Sequence, residues 1–452
     1  MLELRDYQIE GADFLFSRDA ALLGDVMGAG KSAQIVEALK LRSPRVVLII
    51  STKVIETVWE KQIEIWWPEK SNNVILFTGK PKQRLEAEAQ IAKALQTTDW
   101  PIFILTHYEL MKQIPTWIPF DVIVIDEAHK LRGRKMLWKE AKALRRRTNN
   151  FYLVTGTPIV KGPSDIISLL MLLDTKKFSH FWPIANKYFN IEKDPIMGYR
   201  SVGTCRRPEE FRSLLSQYMI RRTKDVIMPE LPPKIRQELL LEMSPQQAKL
   251  YGTLVDQKMA ELGDELLLLN ATHLSQLTMF RQLLVDPRIL GADFEGSATI
   301  MMKEWARDNK DIGASMVIFT PFRAAVINAA NDLKTLNLKS STLMGGMKFE
   351  DIKQSVDDFT TGKTQALICT IDVAEGFTAV VASRGFFLGS HWNPPVNEQA
   401  EDRMHRHGQE ATVQIYYALY KDTIDMRLKD ILNGKKFVED QILLKDFFLG
   451  RG

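Results

Sequence analysis

Five short runs in the first third of the chain are apolar almost throughout: RVVLIIS (45–51), NVILFTG (73–79), PIFILTH (101–107), DVIVIDEAH (121–129) and NFYLVTGTP (150–158). A strand with one wet face alternates; a continuous apolar run reads as a strand covered on both faces, as in a parallel sheet. Helix-like stretches such as 55–67 and 82–96 separate most of them. Alternating strand and helix predicts an α/β sheet with crossovers. Several runs end in polar residues: Ser51-Thr52, Thr106-His107, Asp126-Glu127 and Thr155-Gly156. Ligands of such sheets bind beyond the carboxyl ends of the strands, so these residues are predicted to line one crevice.

From 163 to 310 the pattern is helical with few strand signals. Apolar runs then resume at SMVIFTP (315–321), QALICT (365–370), RGFFLGS (384–390) and VQIYYALY (413–420), a second α/β unit. The segment RRTKDVIMPELPPK (221–234) is basic and punctuated by proline, which suits a linker. The predicted division is 1–162 as a first lobe, 163–220 as a helical protrusion of it and 221–234 as a linker. Then come 235–310 as a helical protrusion of a second lobe and 311–452 as that lobe. No low-complexity segment or short repeat interrupts it.

The length, 452 residues, suits about three domains. A net charge of only +4 does not mark the whole chain as a nucleic-acid binder, so local patches would have to serve. Two distant cysteines, Cys205 and Cys369, argue against a disulfide framework or a zinc site and for a reducing compartment. The start, MLELRDYQIEG, lacks a signal-type apolar stretch. No run reaches the roughly 18 apolar residues of a membrane span. A soluble, cytoplasmic protein with no membrane partner is expected.

Two stretches carry candidate chemistry. GDVMGAGKSAQ (24–34) ends in the Gly-Lys-Ser of a phosphate loop, although Asp25 stands at the first glycine position. Gly28 and Gly30 allow backbone N–H groups to turn onto phosphate oxygens. Lys31 would reach the β- and γ-phosphates, Ser32 would offer its hydroxyl to magnesium, and the following helix would point its positive end at the anion. The bland alternative is a glycine turn before a helix with a solvated lysine. In DVIVIDEAHK a buried strand ends in adjacent carboxylates: Asp126 suits magnesium and Glu127 suits orienting and deprotonating a water. The alternative there is a surface acidic turn. Strand, spacing and phosphate loop together read as a nucleoside triphosphatase.

DEAH with GAGKS resembles superfamily 2 helicases, and the rest resembles their Swi2/Snf2 branch nearly end to end. The matching blocks are LRDYQIEGADFL (4–15), DVMGAGKSAQ, TGTP (155–158), MIRRTKDVIMPELPPK (219–234), FRQLLVDPRIL (280–290), HWNPPVNEQAEDRMHRHGQ (391–409) and DTIDMRLKDILNGKK (422–436), the last similar to a C-terminal brace. The resemblance implies two RecA-like lobes with Snf2-type helical protrusions, using ATP and Mg²⁺. Gln8 would read the adenine. Lys31 and Ser32 would bind triphosphate and metal, and Asp126 and Glu127 would be the catalytic carboxylates. Gly376 and Gln399 would join the nucleotide site, while His129, Thr155, Gly156 and Thr157 would couple it to movement. Arg403 and Arg406 would reach across from the second lobe to the γ-phosphate; a planar, permanent cation there is worth roughly 10³–10⁵ in rate. Ser51, Thr52, Lys53, Thr106 and Thr370 would contact the DNA backbone, positioning without reading sequence. Their bland alternative is ordinary strand-end turns.

The resemblance breaks at CTIDVAEGFTA (369–379), where Asp372, Val373 and Ala374 replace small residues and Thr378 stands where asparagine is common. That departure is nearer to Snf2-like enzymes acting on forked DNA than to chromatin remodellers. No bromodomain, chromodomain or histone-reading segment is visible, so a minimal, monomeric motor of bacterial or phage type is expected. The implied function is an ATP-dependent translocase or helicase on duplex, forked or junction DNA, with replication or recombination proteins as partners. The alternative is an ATP-driven remodeller that strips a protein such as RNA polymerase from DNA. Aromatic residues such as Trp182, Tyr188 and Trp305 would suit a wedge, but in helical regions such residues are more often core.

Overall fold

The apolar runs become strands of two all-parallel sheets in a computed structural model, all of them inner except Val74–Leu76, which lies at an edge. It describes residues 3–52, 55–96, 100–160, 162–193, 200–262, 271–374, 377–391, 393–426 and 429. These fall into two units, the first ending at Pro229 and the second starting at Glu230. The first unit holds β1 (Ala20–Leu23), β2 (Val46–Ser51), β3 (Val74–Leu76), β4 (Ile102–His107), β5 (Val122–Asp126) and β6 (Asn150–Val154). A separate antiparallel hairpin of β7 (Phe189–Lys193) and β8 (Arg200–Cys205) follows, then β9 (Met219–Ile220). The sheet order is β3-β4-β2-β5-β6-β1-β9. The second unit holds β10 (Lys234–Leu241), β11 (Met316–Thr320), β12 (Ser340–Leu343), β13 (Ala366–Thr370), β14 (Arg384–Phe387) and β15 (Val413–Tyr420), in the order β10-β15-β14-β11-β13-β12.

Burial explains the uniform composition. In β2 and β5, Leu48, Ile50, Ile123 and Ile125 pack on one face of the sheet. Val47, Ile49, Val122 and Val124 pack on the other. Successive strand side chains point to opposite faces, so two covered faces demand apolar residues at both parities. The second sheet repeats this, with Ile318, Ile368 and Phe386 on one side and Phe319, Cys369 and Phe387 on the other. Each such side chain contributes about 1.5–3 kcal/mol by leaving water.

The region expected to be helical from 163 to 310 differs in three places. The hairpin β7–β8 is mostly polar and buries few of its side chains, so it leaves no apolar run to read. β9 is only two residues long, yet it pairs with β1. β10 pairs with β15 over eight residues at the sheet edge, with most of its side chains in solvent. The expected linker therefore ends inside a strand. Tyr188 and Trp305 are core residues: Tyr188 lies against Phe211, and Trp305 against Phe386 and Tyr416. Cys205 and Cys369 are free and buried. Among the described residues no helix is long and apolar enough to cross a membrane. Most of the expected brace at 422–436 lies outside the described residues.

Phe386 is fully buried beside Trp305. Phe386→Ala should destabilise the second unit by about 3–5 kcal/mol. Hydrogen exchange should then accelerate in peptides of β11, β13 and β14 while those of β2 and β5 keep their protection; equal loss in both sheets would contradict separate cores.

Candidate nucleotide site

The sheet order puts β5, β6 and β1 side by side, so their carboxyl ends deliver three motifs to one edge. β1 is short, but β6 and β9 flank it and its last three residues are buried. From it the chain turns through Gly28 (φ 82°) and Gly30 (φ 65°) into α2 (Lys31–Arg42). Both φ values lie where glycine is favoured, and the turn ends at the N-terminus of a 12-residue helix. Gln8, on α1 (Asp6–Phe16), lies over this loop. Its side chain donates to the Ala29 carbonyl (3.2 Å) and accepts from Arg5 N (2.9 Å). Lys31 donates to the carbonyls of Asp25 (3.0 Å) and Val26 (3.1 Å). Burial lowers the pKa of Lys31, and the charges of Glu127, Asp25 and Asp126 oppose that shift. Ser32 sits half-buried in the first turn of α2.

Asp126 ends β5. Its Oδ2 accepts from Ser51 Oγ (3.1 Å) and Trp59 Nε1 (3.0 Å), and its Oδ1 from Glu127 N (2.9 Å). Burial, with the neighbouring Glu127 charge, pushes Asp126 up to about 6. The Tyr108 hydroxyl donates to its carbonyl. Glu127 has φ 51°, a left-handed conformation that a non-glycine residue adopts at a cost, and such strain gathers at functional sites. His129 Nδ1 lies 3.2 Å from Glu127 Oε2 and 3.2 Å from Thr155 Oγ1. Thr155 Oγ1 also accepts from Thr157 N (3.1 Å). Gly156 follows β6, between the other two motifs. A Cβ there would lie 3.1 Å from Met27 Cγ and 3.4 Å from Lys31 Nζ, so a larger residue would press on the Met27 side chain beside the lysine.

The structure thus brings together Gln8, Gly28, Gly30, Lys31, Asp126, Glu127, His129, Thr155, Gly156 and Thr157. A glycine turn ending at a helix N-terminus, a lysine and a buried carboxylate fit a nucleoside triphosphate with its magnesium, to which Ser32 and Asp126 are the available oxygen donors. When bound, the metal would offset phosphate charge.

In the second unit, the helix Pro394–Glu401 carries Gln399, which is buried. Arg403 and Arg406 lie in the turns after it. The Arg403 carbonyl accepts from Ala379 N (2.8 Å). Arg406 Nη1 donates to Thr378 Oγ1 (3.0 Å). Burial lowers the Arg406 pKa against the opposing charge of Asp402. Gly376 lies outside the described residues.

The expected DNA contacts fare unevenly. Ser51 is buried with its hydroxyl on Asp126. Thr106 has no exposed surface and donates to the Phe77 carbonyl (2.7 Å). Neither hydroxyl faces solvent, because each closes a local polar demand at a strand end; side-chain geometry gives a phosphate grip there no support. Thr370 is buried, and its hydroxyl has no hydrogen-bond partner among the described residues. Thr52 follows β2, half-buried. Lys53 lies outside the described residues.

A family described as "SNF2-related domain" matches residues 7–289. The chain belongs to the SNF2-related family. A second description, "Helicase conserved C-terminal domain", matches 298–408. The chain is 25% identical to "CHD3-type chromatin-remodeling factor CHR7" of Arabidopsis thaliana, covering 98% of this chain and 38% of that protein. It is also 25% identical to "DNA annealing helicase and endonuclease ZRANB3" of Bos taurus, covering 98% and 40%. The SNF2-related chain thus spans about two fifths of the length of these relatives. A solved structure, "Sulfolobus solfataricus SWI2/SNF2 ATPase core in complex with dsDNA", is 22% identical, with a TM-score of 0.42 over 99% of this chain and 94% of that one.

Sequence reading missed four residues of this SNF2-related site. Trp59 and Tyr108 hold Asp126, yet on sequence they look like ordinary core aromatics. Arg221 donates to the carbonyls of Gly24 (3.1 Å) and Gly156 (3.0 Å). Arg222 pairs with Asp25 (2.6 Å). The signal that could have found Arg222 was Asp25 itself: a carboxylate in the glycine position of a buried loop needs a cation.

Burial and the Glu127 charge push the Asp126 carboxyl up to about 6, so its ionised fraction should fall as pH drops through that range. Since a carboxylate must be ionised to hold magnesium, affinity for magnesium–ATP should fall as pH drops through 6. Fluorescent-nucleotide titrations from pH 5 to 8 should show that step, and Asp126→Asn should flatten it.

Proposed function

We propose that this protein hydrolyses ATP with Mg²⁺ and uses the energy to move along duplex or branched DNA. The observation that carries the reading is one edge of one sheet: Lys31, Gly156, His129, Asp126 and Glu127 gathered at the ends of three adjacent strands. Lys31 neutralises the β- and γ-phosphates. Asp126, with Ser32, holds the metal. Glu127, beside His129, orients and deprotonates the attacking water. Arg403 and Arg406 stabilise charge on the transferring phosphoryl group, as a guanidinium can without changing protonation. His129–Thr155 and Thr155–Thr157 give a hydrogen-bonded path from the carboxylates to the loop after β6, which suits coupling.

Family membership supports a DNA substrate. ZRANB3, by its name a DNA annealing helicase, supports fork or junction remodelling in replication, recombination or repair. Backbone contacts in the manner of the family predict affinity that falls steeply with salt and depends little on sequence.

The test is ATP hydrolysis without nucleic acid and with single-stranded DNA, duplex, fork, four-way junction and RNA. Preferential stimulation by fork or junction supports branched-DNA remodelling. Equal stimulation by plain duplex favours tracking or displacement of bound protein. No stimulation by any DNA overturns the reading. Lys31→Ala should abolish hydrolysis and keep most DNA binding. Arg406→Ala should lower turnover at least about 10³-fold and spare nucleotide binding; normal turnover would remove Arg406 from the mechanism.

A further inference from the structure

The segment expected to be a linker is bonded into both units, each time behind residues assigned above to hydrolysis. At its start, β9 pairs with β1 and delivers Arg221 and Arg222 to the phosphate loop. Arg222 is buried, and its main-chain N (2.9 Å), Nε (3.1 Å) and Nη2 (2.6 Å) all donate to the Asp25 carboxylate, which has no exposed surface. Nη2 also reaches Gln34 Oε1 (3.0 Å) on α2, and Nη1 reaches the Tyr7 carbonyl on α1. α1 comes so close that a Cβ on Gly11 would lie 1.8 Å from Gln34 Oε1 and 2.7 Å from Arg222 Nη2. Arg221 ties Gly24, before the loop, to Gly156, after β6.

At its other end the segment becomes β10. Lys234 and Arg236, two apart and so on one face of the strand, converge on Glu401, the last residue of its helix. Lys234 Nζ lies 2.8 Å from Glu401 Oε2 and 3.1 Å from Asp402 Oδ1. Arg236 makes a two-pronged contact with Glu401 (2.7 and 2.6 Å). Pro232 O lies 2.7 Å from His405 Nε2. Glu401 has no exposed surface. Burial alone would raise its pKa, but Lys234 and Arg236 outweigh it and hold Glu401 at about 2. The turn hung from Glu401 by Met404 N and His405 N carries Arg403 and Arg406.

We infer that residues 221–236 are positioning residues for hydrolysis at both ends: Arg221 and Arg222 set the phosphate loop, and Lys234 and Arg236 set the turn of Arg403 and Arg406. Plain structural stapling would put these ion pairs anywhere. A buried pair adds little stability over well-packed apolar residues, whereas here both pairs abut nucleotide motifs. The inference rests on the nucleotide reading above, and its kinetic signature differs at the two ends. The first end acts on nucleotide binding, the second on turnover.

The test compares Arg222→Met, Arg222→Lys and Asp25→Asn with the double variant Lys234→Met/Arg236→Met in the whole protein. It reads fluorescent-ATP affinity without DNA, kcat and KM with duplex, and thermal melting. Arg222→Met and Asp25→Asn should each raise Kd and KM for ATP about ten-fold, the size of one coupled contact, with kcat little changed. Arg222→Lys, keeping charge but losing the planar fork, should fall between wild type and Arg222→Met. The double variant should lower kcat about ten-fold or more with Kd unchanged. If Arg222→Met does not fold, Asp25→Asn and Arg222→Lys carry the comparison. Loss of binding and turnover in the same proportion at both ends, as a smaller folded fraction would give, overturns the inference. So does unchanged affinity in every folded variant at the first end. A wild-type protein that binds no ATP overturns the nucleotide reading itself.

Discussion

A carboxylate without exposed surface stands just after β1, and the geometry around it follows from its need for a partner. Asp25 occupies the position where the phosphate-loop pattern has glycine. A charge taken out of water must be paired and hydrogen-bonded. Arg222 supplies a fork and its own main-chain N–H, and Gln34 Nε2 adds a further donor at 3.1 Å. Asp25 follows β1, Gln34 lies in α2 and Arg222 follows β9, so one pairing ties the start of the loop to its helix and to the segment after β9. Removing either partner would leave the other charged and buried, a far larger penalty than losing a surface ion pair.

The same low-dielectric environment acts on the charges of the candidate site nearby. Burial disfavours the charged forms of both Lys31 and Asp126, in opposite directions on the pH scale. The mutual attraction of Lys31 and the carboxylates reduces this without cancelling it. An anion beside the lysine and a cation beside the aspartate each favour the ionised form. Binding of a metal nucleotide and ionisation of the site are therefore linked. The strained backbone of Glu127 fits this picture, because the turn that strains it also directs its carboxylate to His129.

How far all this was legible depends on what each stretch had to satisfy. β2, β4, β5, β6, β11 and β13 were readable because both faces are covered and every position is constrained. β10 and the β7–β8 hairpin were not, since exposed strands tolerate charge and lose the apolar signature. Lys31, Asp126 and Glu127 stand out as candidates in the sequence because phosphate chemistry would fix their type and spacing. Ser51 and Thr106 show the limit of such reading, because a hydroxyl at a strand end serves a neighbouring acceptor as readily as a ligand. Arg221 and Arg222 were hidden for a different reason. Gly24 and Asp25 lie 197 residues earlier and Gly156 lies 65 earlier, and a basic stretch followed by prolines carries the composition of a linker.

The departures around 369–379 bear on how much a motif's letter matters. Thr378 stands where asparagine is common, yet its hydroxyl accepts the hydrogen bond of Arg406. Any short side chain with an oxygen at that height would serve, because the guanidinium needs an acceptor rather than an amide. Asp372 is a different case. It is largely exposed, and its Oδ1 lies 3.4 Å from His391 Nε2, so it contributes a surface contact at the start of the HWNPP segment and leaves the Arg406 anchor untouched. The anchoring is thus spread over two features that the consensus does not score: the oxygen of Thr378 on one side and, through Glu401, the two cations of β10 on the other. A sequence can drift at consensus positions while the arginine keeps its place, provided the acceptor and the buried carboxylate remain.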